Sequence, residues 1–331
     1  MLKKLSFVLI AFTVASFLFS CSKKTGEKEI TLVMAEVNPP ETIAGRMDQA
    51  FKEKVEELSK GKIKIDLQCS GVLGDNKSVR ALMAQPNSSI QLTRQGPIAE
   101  MSTLYSLYLI PYTFTSHEHF WNFAESETAQ NLLEQPRKEG KKVIGLFYGE
   151  EGFRNLFSTK KITSAKDFEG LTMRVTSEKT HQMLAESLKM NKAEIKFANL
   201  YEALQTNKAD VADQPLSNYL ANHFNEVAPN IILNAHQLGI MEVYITTECW
   251  DALSENQQKI LKEAGKYASD FCRKISQEEE EKVIKEIEAS GVTVLRIDDI
   301  APYKEGFKDY IQKASAIAPE LYQEILSYAT K

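Results

Sequence analysis

The chain has 331 residues, is 43% hydrophobic and 26% charged, and carries a formal charge of −5 with a pI near 5.7. That length asks for about two domains, and the apolar content excludes a disordered chain. The acidic balance and the lack of a Lys/Arg run exclude a basic-patch nucleic-acid binder.

The first 20 residues read as an export signal. Lys3 and Lys4 precede an apolar stretch, 5–19, that is too short for a comfortable membrane span. It ends in Leu18-Phe19-Ser20-Cys21, a lipoprotein cleavage box in which Cys21 becomes the acylated first residue. An ordinary signal peptide with an accidental cysteine is the alternative. Residues 21–29 are polar and form a tether. Cys69, Cys249 and Cys272 remain, an odd number that leaves at least one free thiol, and no Cys-x-x-Cys pair supports zinc or redox chemistry.

Strands and helices then alternate. Residues 29–37 read as a strand, 43–59 as a helix with Ala44, Met47, Phe51, Val55 and Leu58 on one face, and 62–67 as a second strand. Gly71-Val72-Leu73-Gly74-Asp75 turns into a helix over 76–84, and 89–93 reads as a third strand. This order implies a parallel sheet with helical crossovers, where ligands bind beyond the carboxyl ends of strands. Such ends fall at Asn38, at Ser70 and at Arg94-Gln95-Gly96. Gly96 permits close backbone approach, and Arg94 and Gln95 offer donors, although a solvated loop charge also accounts for Arg94.

Thr115-Ser116-His117-Glu118 reads as a capping box. His117 and His119 stand two positions apart and do not share a helix face, so no metal site is expected. A helix over 127–138 and a strand over 142–148 lead to Gly149-Glu150-Glu151-Gly152, read as a turn and domain crossover.

Arg154 and Arg174 stand twenty positions apart, and Arg174 lies in an apolar strand over 171–176. A buried guanidinium needs a partner, and its fork matches a carboxylate. That partner is either a ligand or an internal acid. Helices over 178–188, 200–206 and 219–226 alternate with strands over 194–197, 211–212, 231–233 and 241–246. Gln214-Pro215 ends the strand at 211–212. The tract 254–290 has no proline and only Gly265 to interrupt it, so it reads as one long helix. A strand over 292–297 and two helices close the chain.

Asp167-Phe168-Glu169-Gly170, Met173-Arg174-Val175, Tyr201 to Gln205 and Asp213-Gln214-Pro215 together resemble the solute-binding subunit of TRAP transporters, the DctP-type receptors. The resemblance covers about residues 29–325. One element departs: Gln214 stands where that family usually has Asn. The resemblance implies an α/β, two-lobed periplasmic-binding-protein-like fold with two mixed sheets and a long helix spanning both lobes. Lobe I would take 30–150 and 240–279, lobe II 151–239 and 280–331. It implies Arg174 as the carboxylate clamp, Arg154 in support and Gln214 as an amide donor. Gln95 and Gly96 would border the pocket, with Asn38 and Asp75 as further candidates. The ligand would be a small organic acid, the partner a membrane permease, and the location the extracytoplasmic or periplasmic face, lipid-anchored. No cofactor is implied. No Gly-x-Ser-x-Gly, Gly-x-Gly-x-x-Gly or Walker loop supports catalysis. An exported lipoprotein enzyme and a surface adhesion or structural lipoprotein stay as alternatives at this point.

Overall fold

The computed structural model describes residues 29–330 apart from 97, 177, 178 and 298. The export segment and Cys21 lie outside the described residues. β1 (Ile30–Ala35) and β2 (Ile63–Gln68) pair in parallel, with Ile63 and Ile65 buried at alternate positions. α1 (Ile43–Leu58) joins them, capped by Thr42 accepting from Gly45 N at 3.1 Å. α2 (Asn76–Met83) leads to β3 (Leu92–Gln95), parallel to β1. α3 (His117–Ala124) is capped by the Ser116 side chain.

The remaining strands are β4 (Val143–Ser158), β5 (Thr172–Val175), β6 (Asn191–Glu194), β7 (Val211–Pro215), β8 (Asn230–Thr246) and β9 (Thr293–Arg296). The order across the sheet is β2-β1-β3-β8-β4-β7-β5-β6, and β9 pairs with β8. β8 runs antiparallel to β3 and β4, and β5 runs parallel to β6 and β7, so the sheet is mixed, as expected.

Two expected breaks in the chain are absent. Gly149-Glu150-Glu151-Gly152 is a distortion inside β4, where the register against β8 shifts between Glu150 and Phe153 and Gly152 takes φ +86°. Glycine supplies the left-handed residue of such a bulge without breaking the strand. β8 likewise runs on through 234–240. The two expected sheets are therefore joined by β4 and β8 into one nine-stranded ladder. Two smaller differences follow local chemistry. β3 lies nearer the C-terminus than expected, which places Arg94 and Gln95 inside the strand. The helix expected over 127–138 splits into Glu127–Leu132 and Gln135–Lys138, with Pro136 in the first turn of the second.

The long helix Glu255–Ala289 begins with Ser254 and Gln257 bonding reciprocally as a capping box. Its Leu261, Ala264, Ala268, Cys272 and Ile275 pack into a core with Met47, Phe51, Ile65, Leu92 and Val243. Two turns on, Val283 and Ile287 enter a different core with Phe157, Leu204, Ala212 and Phe224. One helix thus serves both lobes, and its 35 residues give about 52 Å of reach.

Candidate anion-binding site

Three neighbouring strands, β4, β7 and β5, carry Arg154, Asp213-Gln214 and Arg174. Arg154 Nε donates to Asp213 Oδ2 at 2.6 Å and Nη2 donates to the Asp213 carbonyl at 2.9 Å. Burial alone would raise the Asp213 carboxyl. The Arg154 charge outweighs it and holds Asp213 well below the usual range. Asp213 is thus an anion with no exposure to water. Arg174 is also buried, and its Nε donates to the Ile195 carbonyl at 3.0 Å.

Two histidines close on the same carboxylate. His236 Nε2, on β8, lies 3.3 Å from Asp213 Oδ2, and His181 Nε2, on the helix Lys179–Ser187, lies 3.8 Å from it. His181 Nδ1 is 2.7 Å from Thr176 Oγ1. Burial first, then Arg154 and Arg174, push His181 down to about 3, so its ring is neutral at pH 7. Its approach to Asp213 is a polar contact rather than an ion pair. Asp213 Oδ1 makes no hydrogen bond among the described residues. Gln214 is buried opposite Asn155 in the β4–β7 register.

The first-lobe candidates sit differently. Arg94 is not a solvated loop charge. It is buried and forks onto Glu36, with Nε 2.5 Å from Oε2 and a second bond from Nη2 to Oε1. Desolvation opposes the Arg94 charge, but Glu36 more than offsets it and raises its pKa. A Cβ at Gly96 would meet Arg94 Nη1 at 3.4 Å, so Gly96 leaves room for this guanidinium. Gln95 is committed to its own lobe, accepting from Arg80 Nη1 at 2.9 Å and donating to Thr93 Oγ1 at 3.0 Å. Asn38 is buried, and its backbone N–H donates to Glu36 Oε1 at 2.5 Å. Asp75 caps α2 by accepting from Ser78 N at 2.8 Å, and its other oxygen lies 2.9 Å from Lys196 Nζ.

Glu151 stands between the two groups. Burial holds its carboxyl above the usual range, and Arg94 from one lobe and Arg154 from the other oppose that only in part. The structure therefore brings Arg154, Arg174 and Gln214 to one end of the second lobe. Asn38 and Gly96 lie against the Arg94–Glu36 pair, Gln95 turns to Arg80 and Thr93, and Asp75 reaches Lys196 just past β6. Sequence reasoning missed His181, His236, Glu36 and Glu151. Asp213 was legible only as part of the acidic turn before Pro215.

The histidines at 117 and 119 belong elsewhere. His117 Nδ1 is 2.9 Å from Glu150 Oε1, and its Nε2 is 2.7 Å from Glu280 Oε2. Burial works against the charged ring, yet the bonds to both glutamates push it up to about 10. His119 Nε2 lies 2.9 Å from the Ile325 carbonyl.

Residues 34–316 match the model of the bacterial extracellular solute-binding proteins, family 7, DctP. The chain belongs to this family. It is a TRAP-type solute-binding protein and not an enzyme. Among similar proteins, the C4-dicarboxylate-binding periplasmic protein of Rhodobacter capsulatus is 26% identical over 267 residues, covering 80% of this chain and 79% of that one. The sialic acid-binding periplasmic protein of Vibrio cholerae is 24% identical over 257 residues, covering 77% and 79%. The fold of this family member matches a TRAP periplasmic solute-binding protein from Pseudomonas putida F1 with bound D-glucuronate. The TM-score is 0.84 at 21% identity, over 89% of this chain and 96% of that one. It matches the sugar acid-binding protein of Advenella mimigardefordensis in complex with galactonate equally well, with a TM-score of 0.84 at 23% identity over 92% and 98%.

Proposed function

We propose that this protein captures a small organic acid between its lobes and hands it to the membrane subunits of a TRAP permease. The observation that carries the reading is the pair of arginines on β4 and β5, Arg174 buried and Arg154 partly buried, both close enough to His181 to depress its ring. Arg174 holds the carboxylate. Arg154, fixed in orientation by Asp213, supports the same anion. Gln214 donates its amide, and its extra methylene relative to Asn shortens the space for the ligand. Asn38, Gln95 and Gly96 wall the pocket from the first lobe. Lobe I comprises 30–150 and 240–279 and lobe II 151–239 and 280–331, with Cys21 carrying the lipid that keeps the receptor at the membrane. The relatives named for C4-dicarboxylates, sialic acid, glucuronate and galactonate all take carboxylates, which supports this ligand class.

The test is native mass spectrometry of the soluble fragment starting at Ser22, followed by calorimetry with galactonate, glucuronate, succinate and their neutral amides. An acid bound while its amide is not supports the clamp. Equal binding of acid and amide overturns it. For the anchor, Cys21→Ser should move the full chain from the membrane fraction to the soluble one.

A further inference from the structure

Asp75 and Lys196 come from opposite ends of the sheet. Asp75 lies between β2 and α2, and β2 is the strand at one end of the order. Lys196 lies just past β6, the strand at the other end. A flat sheet of that order would hold β2 and β6 about 34 Å apart. Yet Lys196 Nζ is 2.9 Å from Asp75 Oδ2. The two lobes must therefore fold toward one another for this contact to form.

The pair also sits beside the clamp. Lys196 follows Ile195, whose carbonyl accepts from Arg174 Nε. On the other side, Asp75 is held rigidly, because its Oδ1 accepts from both Ser78 N and Ser78 Oγ at 2.8 and 2.7 Å. Those bonds first, then Lys196, hold the Asp75 carboxyl far below the usual range, so it is an anion at any working pH.

We propose that Asp75 and Lys196 form a latch across the mouth of the cleft, which biases the two lobes toward closure next to Arg174. The proposal rests on the receptor reading above. Its strength suits that role. The two side chains are 38% and 73% exposed, and an ion pair in that setting shifts an equilibrium only a few-fold. A stronger latch would hold the empty protein shut and block entry. A weak one lets the lobes open and adds to closure once a ligand bridges them.

The test reads the lobe separation directly. Spin labels at 72 and 202, on exposed positions of the two lobes, report it by electron–electron distance measurement, with Cys69 and Cys249 replaced by Ser. Asp75→Asn keeps the helix cap, since Asn caps as well as Asp, and removes the charge. Lys196→Met keeps the stem and removes the ammonium. In ligand-free protein at low salt, each variant should lower the closed-to-open ratio about two- to fivefold. Wild type in about 0.5 M salt should fall similarly, because screening acts on exposed pairs. Lys196→Met should add nothing to Asp75→Asn. Unchanged distributions in both variants overturn the latch, as does a wild type with no short-distance population at low salt. Adding D-galactonate as probe then tests the receptor reading separately, because the latch is read without any ligand.

Discussion

Arg154 and Asp213 form a buried ion pair between neighbouring strands, with the guanidinium bound to both the carboxylate and the carbonyl of the same residue. Its value lies in what is lost when half of it goes. Asp213→Asn leaves Arg154 facing a neutral amide in a setting only 11% exposed, and should cost about 3 kcal/mol. Arg154→Met leaves an anion with no water and should cost about as much. Replacing both with apolar residues should recover most of the loss, since the attraction and the desolvation nearly cancel. Urea unfolding of the three variants checks this, and single variants within 1 kcal/mol of wild type would show the pair to be dispensable.

Two histidines with opposite shifts set the pH dependence of stability. His181 falls from 6.5 to about 3 on folding. Below pH 6.5 the unfolded chain therefore binds a proton that the folded chain refuses, and stability declines as pH drops from 6.5 toward 3. The slope approaches about 1.4 kcal/mol per pH unit. Asp213, held low in the fold, acts in the same direction: its stabilisation is present above the ordinary carboxylate range and is lost as pH falls through the folded value. His117 rises from 6.5 to about 10, so its contribution is complete below 6.5 and is lost between 6.5 and 10. Stability should peak near pH 6.5. His181→Asn should flatten the acid limb and His117→Gln the alkaline limb, measured as urea midpoints from pH 4 to 9. Limbs that keep their slopes in these variants would mean that other groups carry the linkage.

Arg174→Ala should weaken binding of the acid by about 2–4 kcal/mol, the loss of a charge-assisted forked contact. Arg174→Lys should restore only part of it, because an ammonium matches one carboxylate oxygen at a time and would have to reach from a backbone held in β5. Calorimetry of the three proteins with one acid decides the matter. Full affinity in the alanine variant would remove Arg174 from the site.

Local signals made Arg154, Arg174 and the long helix legible. An arginine in an apolar run announces itself, and so does a proline-free tract of 37 residues. What stayed hidden depends on distant neighbours. Arg94 looked like a loop charge because Glu36, its partner, is 58 residues away. The glycines at 149 and 152 mark a bulge or a turn with the same chemistry, and only the continuous pairing of β4 with β8 decides which. On the long helix, Tyr267 fits the helical period as well as Ala268 does. It is nonetheless 46% exposed, while Ala268 is buried. Periodicity finds a face, and the packed neighbours choose which of two adjacent stripes it is.

Gly265 packs the long helix against Phe147 of β4, and its replacement sets two effects against each other. Alanine should favour the helix by up to about 1 kcal/mol relative to glycine. Against that, a Cβ at this position would stand 2.6 Å from Phe147 Cδ1, 3.1 Å from its Cγ and 3.3 Å from its Cβ. The far edge of the ring could rotate away, but its Cβ is tied to the strand, and Phe147 is buried against Phe51 with centroids 5.0 Å apart. Overpacking a filled core costs about 1–3 kcal/mol, so the clash outweighs the propensity. Gly265→Ala should lower the unfolding midpoint. Phe147→Leu, destabilising by itself through lost volume, should make room for the new methyl, so the double variant should lose less than the sum of the two single losses. Calorimetric melting of the four proteins reads the coupling, and strict additivity would mean that the helix shifts on its axis to clear the ring.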